Sequence, residues 1–390
     1  LLFTARREDI ADAFFLARLG IKDAAIGFER AGPEPQIGNT TVLVIDGFEG
    51  LRRQRPSWRL TMADRPVKYQ CVCRSRNWHL YIQIVAEGTE LSLMPARILA
   101  FGEVLWDVFG ESKRLGGAPV NFVVHATRMG HEAVPVSAVG RDELGVSARS
   151  ALGGLGVDTR FIQSSARHPT GTAMVEIGAN GHVAFRIHRP AAYDDVRLSG
   201  EELKELAGWG PDWLYYGTLS SMAASSRALL GRLMEAVPGA RRFYDVNLRK
   251  DCYTPELVAG LLGRAQVVKM NEQEMAALGE MFGLPAGGME SFCGAGAARF
   301  GWQAAAVTLG ERGCGIWVEG AYAEAGGVAV QVADTVGAGD AFAAAFVHGL
   351  ALGWPPDRIG GFANRVGALI ASRPGGTPEW RLEEIVGLGD

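Results

Sequence analysis

Residues 98–139, ILAFGEVLWDVFGESKRLGGAPVNFVVHATRMGHEAVPVSAV, decide the fold of this chain. A short apolar run, Ile98–Phe101, is followed by the helical pattern Ala118–Met129 and then by a second apolar run, Ala133–Val139. A strand, a helix and a second strand in this order are typical of two parallel strands whose connecting helix covers the sheet. The stretch therefore predicts an α/β domain.

The same alternation continues towards the C-terminus, where each apolar run is followed by a turn and a helical pattern. The further strand candidates are Trp213–Tyr216, Phe243–Val246, Val267–Met270 and Ala304–Leu309, and the further helix candidates are Leu144–Leu155, Ser226–Ala236 and Glu272–Met281. We predict a doubly wound, mostly parallel sheet with helices on both faces.

One segment interrupts this alternation. Thr172–Ile177 and His182–Ile187 flank Gly178–Gly181, which is the pattern of a β-hairpin. A hairpin does not fit inside a doubly wound sheet. We therefore predict a small β lid that covers the carboxyl ends of the strands, where open α/β sheets bind ligands.

Residues 1–93 differ from the rest of the chain. Val42–Ile45 and Leu80–Val85 are strand candidates, but Arg52–Arg76 between them is basic and has no apolar period. A solvated or disordered segment is favoured there over a contact with an anionic partner. We expect residues 1–93 to be an N-terminal extension of unassigned fold, and residues 94–390, beginning at Met94, to form the patterned α/β domain.

Composition narrows the classes of function. With 39 basic and 43 acidic residues among 390, the formal net charge is −4, so no overall field favours nucleic acid or an anionic membrane. No apolar run approaches the ~20 residues that span a bilayer. The five cysteines and seven histidines show no metal-ligand spacing, and an odd cysteine count favours a reduced compartment. We expect a cytoplasmic protein that acts on small molecules.

The strongest chemical signal is Asp334-Thr-Val-Gly-Ala-Gly-Asp340, followed by the helical run 341–350. Glycines before a helix expose consecutive backbone N–H groups, and the helix dipole adds positive potential, so the Gly337-Ala338-Gly339 turn can hold a phosphoryl group. Asp340 at the helix start could accept a proton from an attacking hydroxyl. Taken alone, Asp340 could equally be a helix cap.

A second signature, Gly116-Gly-Ala-Pro-Val-Asn121, lies near the start of the same region. With both signatures, the chain from Met94 onward resembles the ribokinase-type (PfkB) carbohydrate kinases, and fructokinases most closely. The resemblance implies an α/β core with a β lid, here from about residues 106–116 and 170–195. It also implies transfer of the γ-phosphate of ATP to a primary or anomeric sugar hydroxyl.

The resemblance also assigns sugar contacts. Without it, Asp107 could be a turn residue, Asn121 a helix cap and Arg249 a partner in a surface salt bridge. Carboxylate and amide groups, together with bare backbone, suit a ring of hydroxyls. The predicted sugar contacts are Asp107, Gly116, Gly117, Asn121 and Arg249, with Glu176, Arg186 and Tyr193 as candidates on the lid.

Nucleotide and metal contacts follow from the same resemblance. The predicted ATP contacts are Asn247, Asn271, Glu274, Thr308, Gly310 and Asn364. Glu274 is expected to help place Mg²⁺ through water, although a capped helix start explains Asn271–Glu274 as well. Asp334 and Thr335, with residues 370–376, could bind K⁺. Glu379 departs from the small hydroxyl residue that some relatives carry there.

Several alternatives stay open. Pro119 favours a fructokinase-like enzyme, and fructose is the first choice of acceptor, but ribose, 2-keto-3-deoxygluconate and nucleosides fit the same fold. A non-catalytic sugar sensor is the rival from another class. A nucleotide-linked oxidoreductase is disfavoured, because a dinucleotide-binding glycine turn would follow the first strand. Lids in relatives often pair, so a homodimer through the lid is a further expectation.

Overall fold

The computed structural model describes residues 95–110, 112–177, 183–386 and 388, together with short strands before residue 95. The chain divides into two units, Leu1–Met94 and Pro95–Asp390. The predicted hairpin turn Gly178–Gly181 and the predicted domain start at Met94 lie outside the described residues.

In the first unit the structure describes only strands. Thr41–Asp46 pairs antiparallel with His79–Ile84, which agrees with the two strand candidates there. The other strands are Phe3–Thr4, Glu29–Arg30, Thr61–Met62, Arg65–Pro66 and Arg74–Arg76. Most of Arg52–Arg76 lies outside the described residues, so the interpretation of the 1–93 segment stays a prediction.

The second unit is built on a nine-stranded sheet and a four-stranded one. Its strands are β1 (Arg97–Phe101), β2 (Leu105–Phe109), β3 (Ser112–Gly116), β4 (Glu132–Gly140), β5 (Ile162–Ser165), β6 (Gly171–Ile177), β7 (Val183–Ile187), β8 (Trp213–Gly217), β9 (Arg241–Asp245), β10 (Val267–Asn271), β11 (Ala304–Thr308), β12 (Gly313–Val318) and β13 (Ala321–Gly326). The large sheet has the order β5-β4-β1-β8-β9-β10-β11-β12-β13. Its first seven strands are parallel to one another. β12 pairs antiparallel with β11, and β13 pairs antiparallel with β12. This topology confirms the predicted doubly wound, mostly parallel sheet.

Helices cover both faces of the large sheet. They are α1 (Ala118–Arg128), α2 (Glu143–Gly154), α3 (Gly200–Trp209), α4 (Thr218–Ser221), α5 (Ala224–Ala236), α6 (Pro255–Leu262), α7 (Glu272–Phe282), α8 (Met289–Phe300), α9 (Ala338–Ala351), α10 (Pro356–Ala371) and α11 (Leu382–Val386), with short 3₁₀ turns at Ala192–Asp195 and Gly310–Arg312. Among the described helices, none is both long and apolar enough to cross a bilayer.

The core forms two layers because successive side chains of a strand point to opposite faces. Ile98 and Ala100 of β1 belong to the cluster that packs against α1, α9 and α10. Leu99 and Phe101 of the same strand belong to the cluster on the other face. A strand buried on both sides reads as a continuous apolar run, which is why the sequence pattern was strong here.

The four-stranded sheet, in the order β3-β2-β6-β7, is the predicted small β lid. β6 and β7 form the predicted hairpin, and β2 pairs parallel with β6. Asp107, a predicted sugar contact that could otherwise have been a turn residue, lies within strand β2 of the small sheet. The chain leaves the large sheet at Phe101 and crosses to the lid, a change that no apolar period signals.

Candidate active site

The Gly337–Gly339 turn includes the first two residues of helix α9, and the backbone of Gly337 has a conformation that favours glycine. Gly337 has φ of +79°, a conformation that side chains with a Cβ disfavour. A Cβ on Gly337 would also lie 2.3 Å from the carbonyl oxygen of Gly376. Asp340 is the third residue of α9. The backbone N–H groups at the start of this helix have no intrahelical partners, so the turn can bind an anion.

At this turn, Asp340 is hydrogen-bonded to a residue of the second sequence signature, Gly116–Asn121. Asn121 of α1 donates a hydrogen bond from Nδ2 to Asp340 Oδ2 over 2.8 Å. Burial raises the pKa of Asp340 to about 7, and Asp245 adds to the rise, whereas Lys269, Asn121 and Arg249 oppose it. The two motifs are far apart in the chain and adjacent in space. A carboxylate that titrates near neutral pH beside an anion-binding turn is suited to general base catalysis.

Asp107, Gly116 and Gly117, three of the predicted sugar contacts, lie close together. Gly116 lies on β3, and a Cβ there would be 2.4 Å from Asp107 Oδ2, so the missing side chain makes room for this carboxylate. Burial raises the pKa of Asp107 to about 6, and Arg249 and Arg114 oppose the rise. Gly117 has φ of +117° and precedes the first residue of α1.

The C-terminal segment 371–380 is hydrogen-bonded both to Asp334, just before the turn, and to helix α1. The Gly375 backbone N–H donates to Asp334 Oδ2 over 3.1 Å, and His125 Nε2 lies 2.9 Å from the Gly376 carbonyl oxygen. Arg128 donates to the carbonyl oxygens of Thr377 and Pro378. The segment before the Gly337–Gly339 turn is therefore held by a segment about 40 residues later in the chain.

The Asp334 carboxylate, which was predicted to bind K⁺, accepts hydrogen bonds from three groups of the protein. Its Oδ1 accepts from the Val336 backbone N–H over 3.0 Å, and its Oδ2 accepts from Arg114 Nη1 over 2.5 Å as well as from Gly375. Arg114 lies on lid strand β3, so this ion pair joins the lid to the segment that precedes the Gly337–Gly339 turn. Both oxygens of the carboxylate that was predicted to bind K⁺ are engaged by the protein itself.

The predicted nucleotide-side pair, Asn271 and Glu274, forms a capping box at the start of α7. Asn271 Oδ1 accepts the Glu274 backbone N–H over 2.8 Å, and Glu274 Oε2 accepts the Asn271 backbone N–H over 2.8 Å. Glu274 Oε1 accepts the backbone N–H of Leu248 over 2.8 Å. Glu274 thus fixes the loop after β9 against α7. Within the described residues, no group of three or more His, Cys, Asp or Glu side chains could hold a metal ion.

The other predicted nucleotide contacts lie on different elements of the structure. Thr308 is the half-buried last residue of β11, and Gly310 follows it with φ of +62°. Asn247 has φ of +37° in the loop after β9. Asn364 donates from Nδ2 to the carbonyl oxygens of Ala325 and Gly326, each over 3.0 Å, so its amide ties α10 to β13.

The lid candidates are dispersed. Arg186 is an exposed residue of β7. Glu176 lies on β6, and its side chain is outside the described part of the structure. Tyr193 is fully buried in the apolar cluster beneath the lid sheet, and burial raises the pKa of its hydroxyl.

Sequence reasoning missed two charged residues. Lys269 of β10 donates from Nζ to both carboxylate oxygens of Asp245, over 3.1 and 3.3 Å, and both residues are buried. Glu103 is also buried, and hydrogen bonds from its own backbone and from that of Ala118, at the start of α1, partly offset the rise of its pKa by burial. The only available signal was a charge within an apolar run, as in Val267-Val-Lys-Met270.

Comparison with known proteins decides the family. The family model described as pfkB family carbohydrate kinase matches residues 84–381. The chain belongs to this family. Fructokinase of Escherichia coli is 30% identical to this pfkB kinase over 302 residues, which cover 72% of the chain and 95% of that fructokinase. The predicted resemblance is thereby confirmed, and the protein is a sugar kinase.

Solved structures give the same answer for the pfkB kinase fold. A sugar kinase of Pyrococcus horikoshii, solved in complex with ATP, is 26% identical with a TM-score of 0.62, and the match covers 74% of this chain and 96% of that one. The 2-dehydro-3-deoxygluconokinase of Thermotoga maritima, 20% identical, has a TM-score of 0.64 over 75% of this chain and 98% of its own. The second shows a shared fold.

Proposed function

We propose that this pfkB kinase phosphorylates a hydroxyl of a ketohexose such as fructose, with ATP as the phosphoryl donor. The observation that supports this most directly is Asp340, whose pKa is raised to about 7 and which lies beside the Gly337–Gly339 turn and within hydrogen-bond distance of Asn121. A general base works best when its pKa lies near the working pH, because it is then substantially deprotonated and still basic enough to take the proton.

The sugar is expected between the lid and the start of α1. Asp107 offers a carboxylate, Asn121 an amide, and Gly116 and Gly117 leave backbone without side chains beside them. Asn121 Oδ1 is buried without a hydrogen-bond partner among the described residues, so it is available to accept from a sugar hydroxyl. Arg249 offsets the charge of the surrounding carboxylates.

The nucleotide is expected along the carboxyl ends of β9, β10 and β11. Asn247, Asn271, Thr308 and Gly310 lie at or just after these strand ends. ATP arrives as its magnesium complex, in which phosphate oxygens and water are the usual ligands. Glu274 contributes by holding the Leu248 and Asn271 amides in place, because both of its oxygens already accept from backbone N–H groups.

The transfer step uses few protein groups. The sugar O–H bond gives its proton to Asp340, and the sugar oxygen forms a bond to the γ-phosphorus as the bond to the bridging oxygen of ADP breaks. The N–H groups at the start of α9 stabilise the charge on the moving phosphoryl group. The lid excludes water, which limits hydrolysis of ATP.

A bound K⁺ fits these residues poorly. The Asp334 carboxylate is engaged by the Arg114 guanidinium and by the Val336 and Gly375 amides. We therefore assign no step to a monovalent cation.

Fructose is preferred because Pro119 follows Gly-Gly-Ala in a fructokinase-like segment, and because the relatives from Klebsiella pneumoniae and Escherichia coli are named fructokinases. Ribose, 2-keto-3-deoxygluconate and nucleosides remain alternative acceptors, since one fold serves several of these substrates. A sensor without turnover is the alternative from another class.

The test is sugar-dependent ADP release by the full chain with MgATP and fructose, ribose, 2-keto-3-deoxygluconate or adenosine. One acceptor should stimulate turnover, and Asp340→Asn should lower kcat by ~10²–10⁴-fold while calorimetry still detects binding of that acceptor. The control is Glu235→Gln, which neutralises an exposed carboxylate on α5. Binding of a sugar without any turnover would instead support the sensor.

A further inference from the structure

We propose that Lys269 is a positioning residue of phosphoryl transfer: Asp245 holds its ammonium beneath the Gly337–Gly339 turn, where it sets the charge around Asp340. The inference rests on the proposed function and adds to it a residue that no motif contains.

The pair is fixed by the strands that carry it. Asp245 is the last residue of β9 and lies opposite Lys269 of the neighbouring parallel strand β10. Lys269 Nζ donates to both Asp245 oxygens, and Tyr215 of β8 donates its hydroxyl to Asp245 Oδ2 over 3.2 Å. Lys269 is 7% exposed and Asp245 is fully buried. Neither group can leave this geometry without unpairing a buried charge.

The ammonium lies directly against the catalytic turn. A Cβ on Gly339 would be 3.4 Å from Lys269 Nζ. The glycine therefore lets the turn approach a fixed positive charge, which favours negative charge on a phosphoryl group held by the turn. A buried ion pair adds little net stability compared with apolar side chains of the same volume, so the fold alone gives no reason for this pair.

Asp340 receives opposite influences from the two partners. Asp245 raises the pKa of Asp340, whereas Lys269 lowers it. The other groups that face Asp340 are Arg249, from the loop after β9, and Asn121, from α1, both of which lower its pKa. Tyr215 lies behind Asp245 and is itself affected by Asp340. The Lys269–Asp245 pair therefore has two opposing effects on the pKa of Asp340.

The test compares two single substitutions whose effects should have opposite signs. Lys269→Met leaves the Asp245 charge unopposed, so the acid limb of the profile of kcat against pH should move to higher pH. Asp245→Asn leaves the lysine unopposed and should move the limb to lower pH. At pH 6, kcat of Lys269→Met should fall by at least about tenfold relative to the wild type, whereas KM for MgATP should change by less than about threefold.

The matched control is Tyr215→Phe, which removes a hydrogen bond to Asp245 without changing any charge. Its acid limb should coincide with that of the wild type. Thermal unfolding of each variant separates loss of fold from loss of chemistry. If a single variant does not fold, Lys269→Met with Asp245→Asn leaves no unpaired buried charge, and its limb should lie near that of the wild type while kcat stays low.

The inference is overturned if the limbs of the two single variants move in the same direction, if neither moves, or if the double variant keeps the wild-type kcat. These outcomes differ from failure of the proposed function, which would be absence of sugar-dependent turnover in the wild-type enzyme itself.

Discussion

At the scale of single residues, Gly337 carries the sharpest constraint in the site. Its φ is +79°, and a Cβ would lie 2.3 Å from the Gly376 carbonyl oxygen, which is backbone and cannot move aside cheaply. Gly301 has a similar φ of +81° but no atom within 4 Å of its Cβ position. Substituting each glycine by alanine therefore distinguishes the effect of backbone strain, which both share, from displacement of the turn, which only Gly337 should show.

We expect Gly337→Ala to lower kcat by about 10²-fold or more, because it displaces the N–H groups that meet the phosphoryl group. Both Gly337→Ala and Gly301→Ala should lose roughly 1–2 kcal/mol of unfolding free energy from the left-handed backbone, and Gly337→Ala should lose more because its Cβ meets the Gly376 carbonyl oxygen. Steady-state kinetics and urea unfolding measure the two effects. A Gly301→Ala enzyme with equally low kcat would show that strain alone is responsible.

At the scale of elements, Arg114 connects lid strand β3 to Asp334, which precedes the Gly337–Gly339 turn. The Arg114 side chain is 48% exposed, so the ion pair should add only ~0–1 kcal/mol to stability. Its larger effect should be on closure of the lid over the sugar.

Arg114→Ala should therefore raise KM for the sugar several-fold with little change in the melting temperature. Since an exposed ion pair is screened by salt, wild-type KM should also rise with ionic strength, and the variant should be insensitive. Arg160→Ala is the matched control, because Arg160 pairs with Asp158 and Glu205 away from the lid. Equal behaviour of the two variants would contradict a role for Arg114 in closure.

Elements with continuous apolar runs could be predicted from the sequence, and β1, β8 and β10 agree with the candidates to within one residue. The hairpin of β12 and β13 was not predicted, since Gly313–Val318 and Ala321–Gly326 are rich in glycine and alanine. The Lys269–Asp245 pair and the Arg114 contact depend on which strands become neighbours. Local pattern carries no information on that choice.

At the scale of the whole molecule, three buried histidines link stability to pH. His131 Nδ1 accepts from the Ala96 backbone N–H, and His131 Nε2 lies 3.1 Å from His348 Nδ1. Burial lowers the pKa to about 4 for His125 and His131 and to about 3 for His348. The unfolded chain takes up these protons near pH 6.5, so their contribution to stability is complete above that pH and is lost as pH falls towards 3–4.

Asp107 and Asp340 act in the opposite sense because burial raises their pKa values, so the histidine effect is best measured as a difference. His348→Asn keeps an acceptor for His131, and it should lose less unfolding free energy than the wild type between pH 7.5 and pH 5. His188→Asn, at an exposed position, should lose as much as the wild type. Urea unfolding at the two pH values makes the comparison, and parallel losses in all three proteins would refute the assignment.

The contact of segment 371–380 with Asp334, just before the Gly337–Gly339 turn, also has a consequence for synthesis. The described strands of the nine-stranded and four-stranded sheets all precede the Gly337–Gly339 turn in the chain, whereas the segment that holds Asp334 follows it. A growing chain can therefore complete its sheets on the ribosome before its catalytic turn is fixed. Competence for turnover should be acquired only after residue 380 has emerged, so an incomplete chain would consume no ATP.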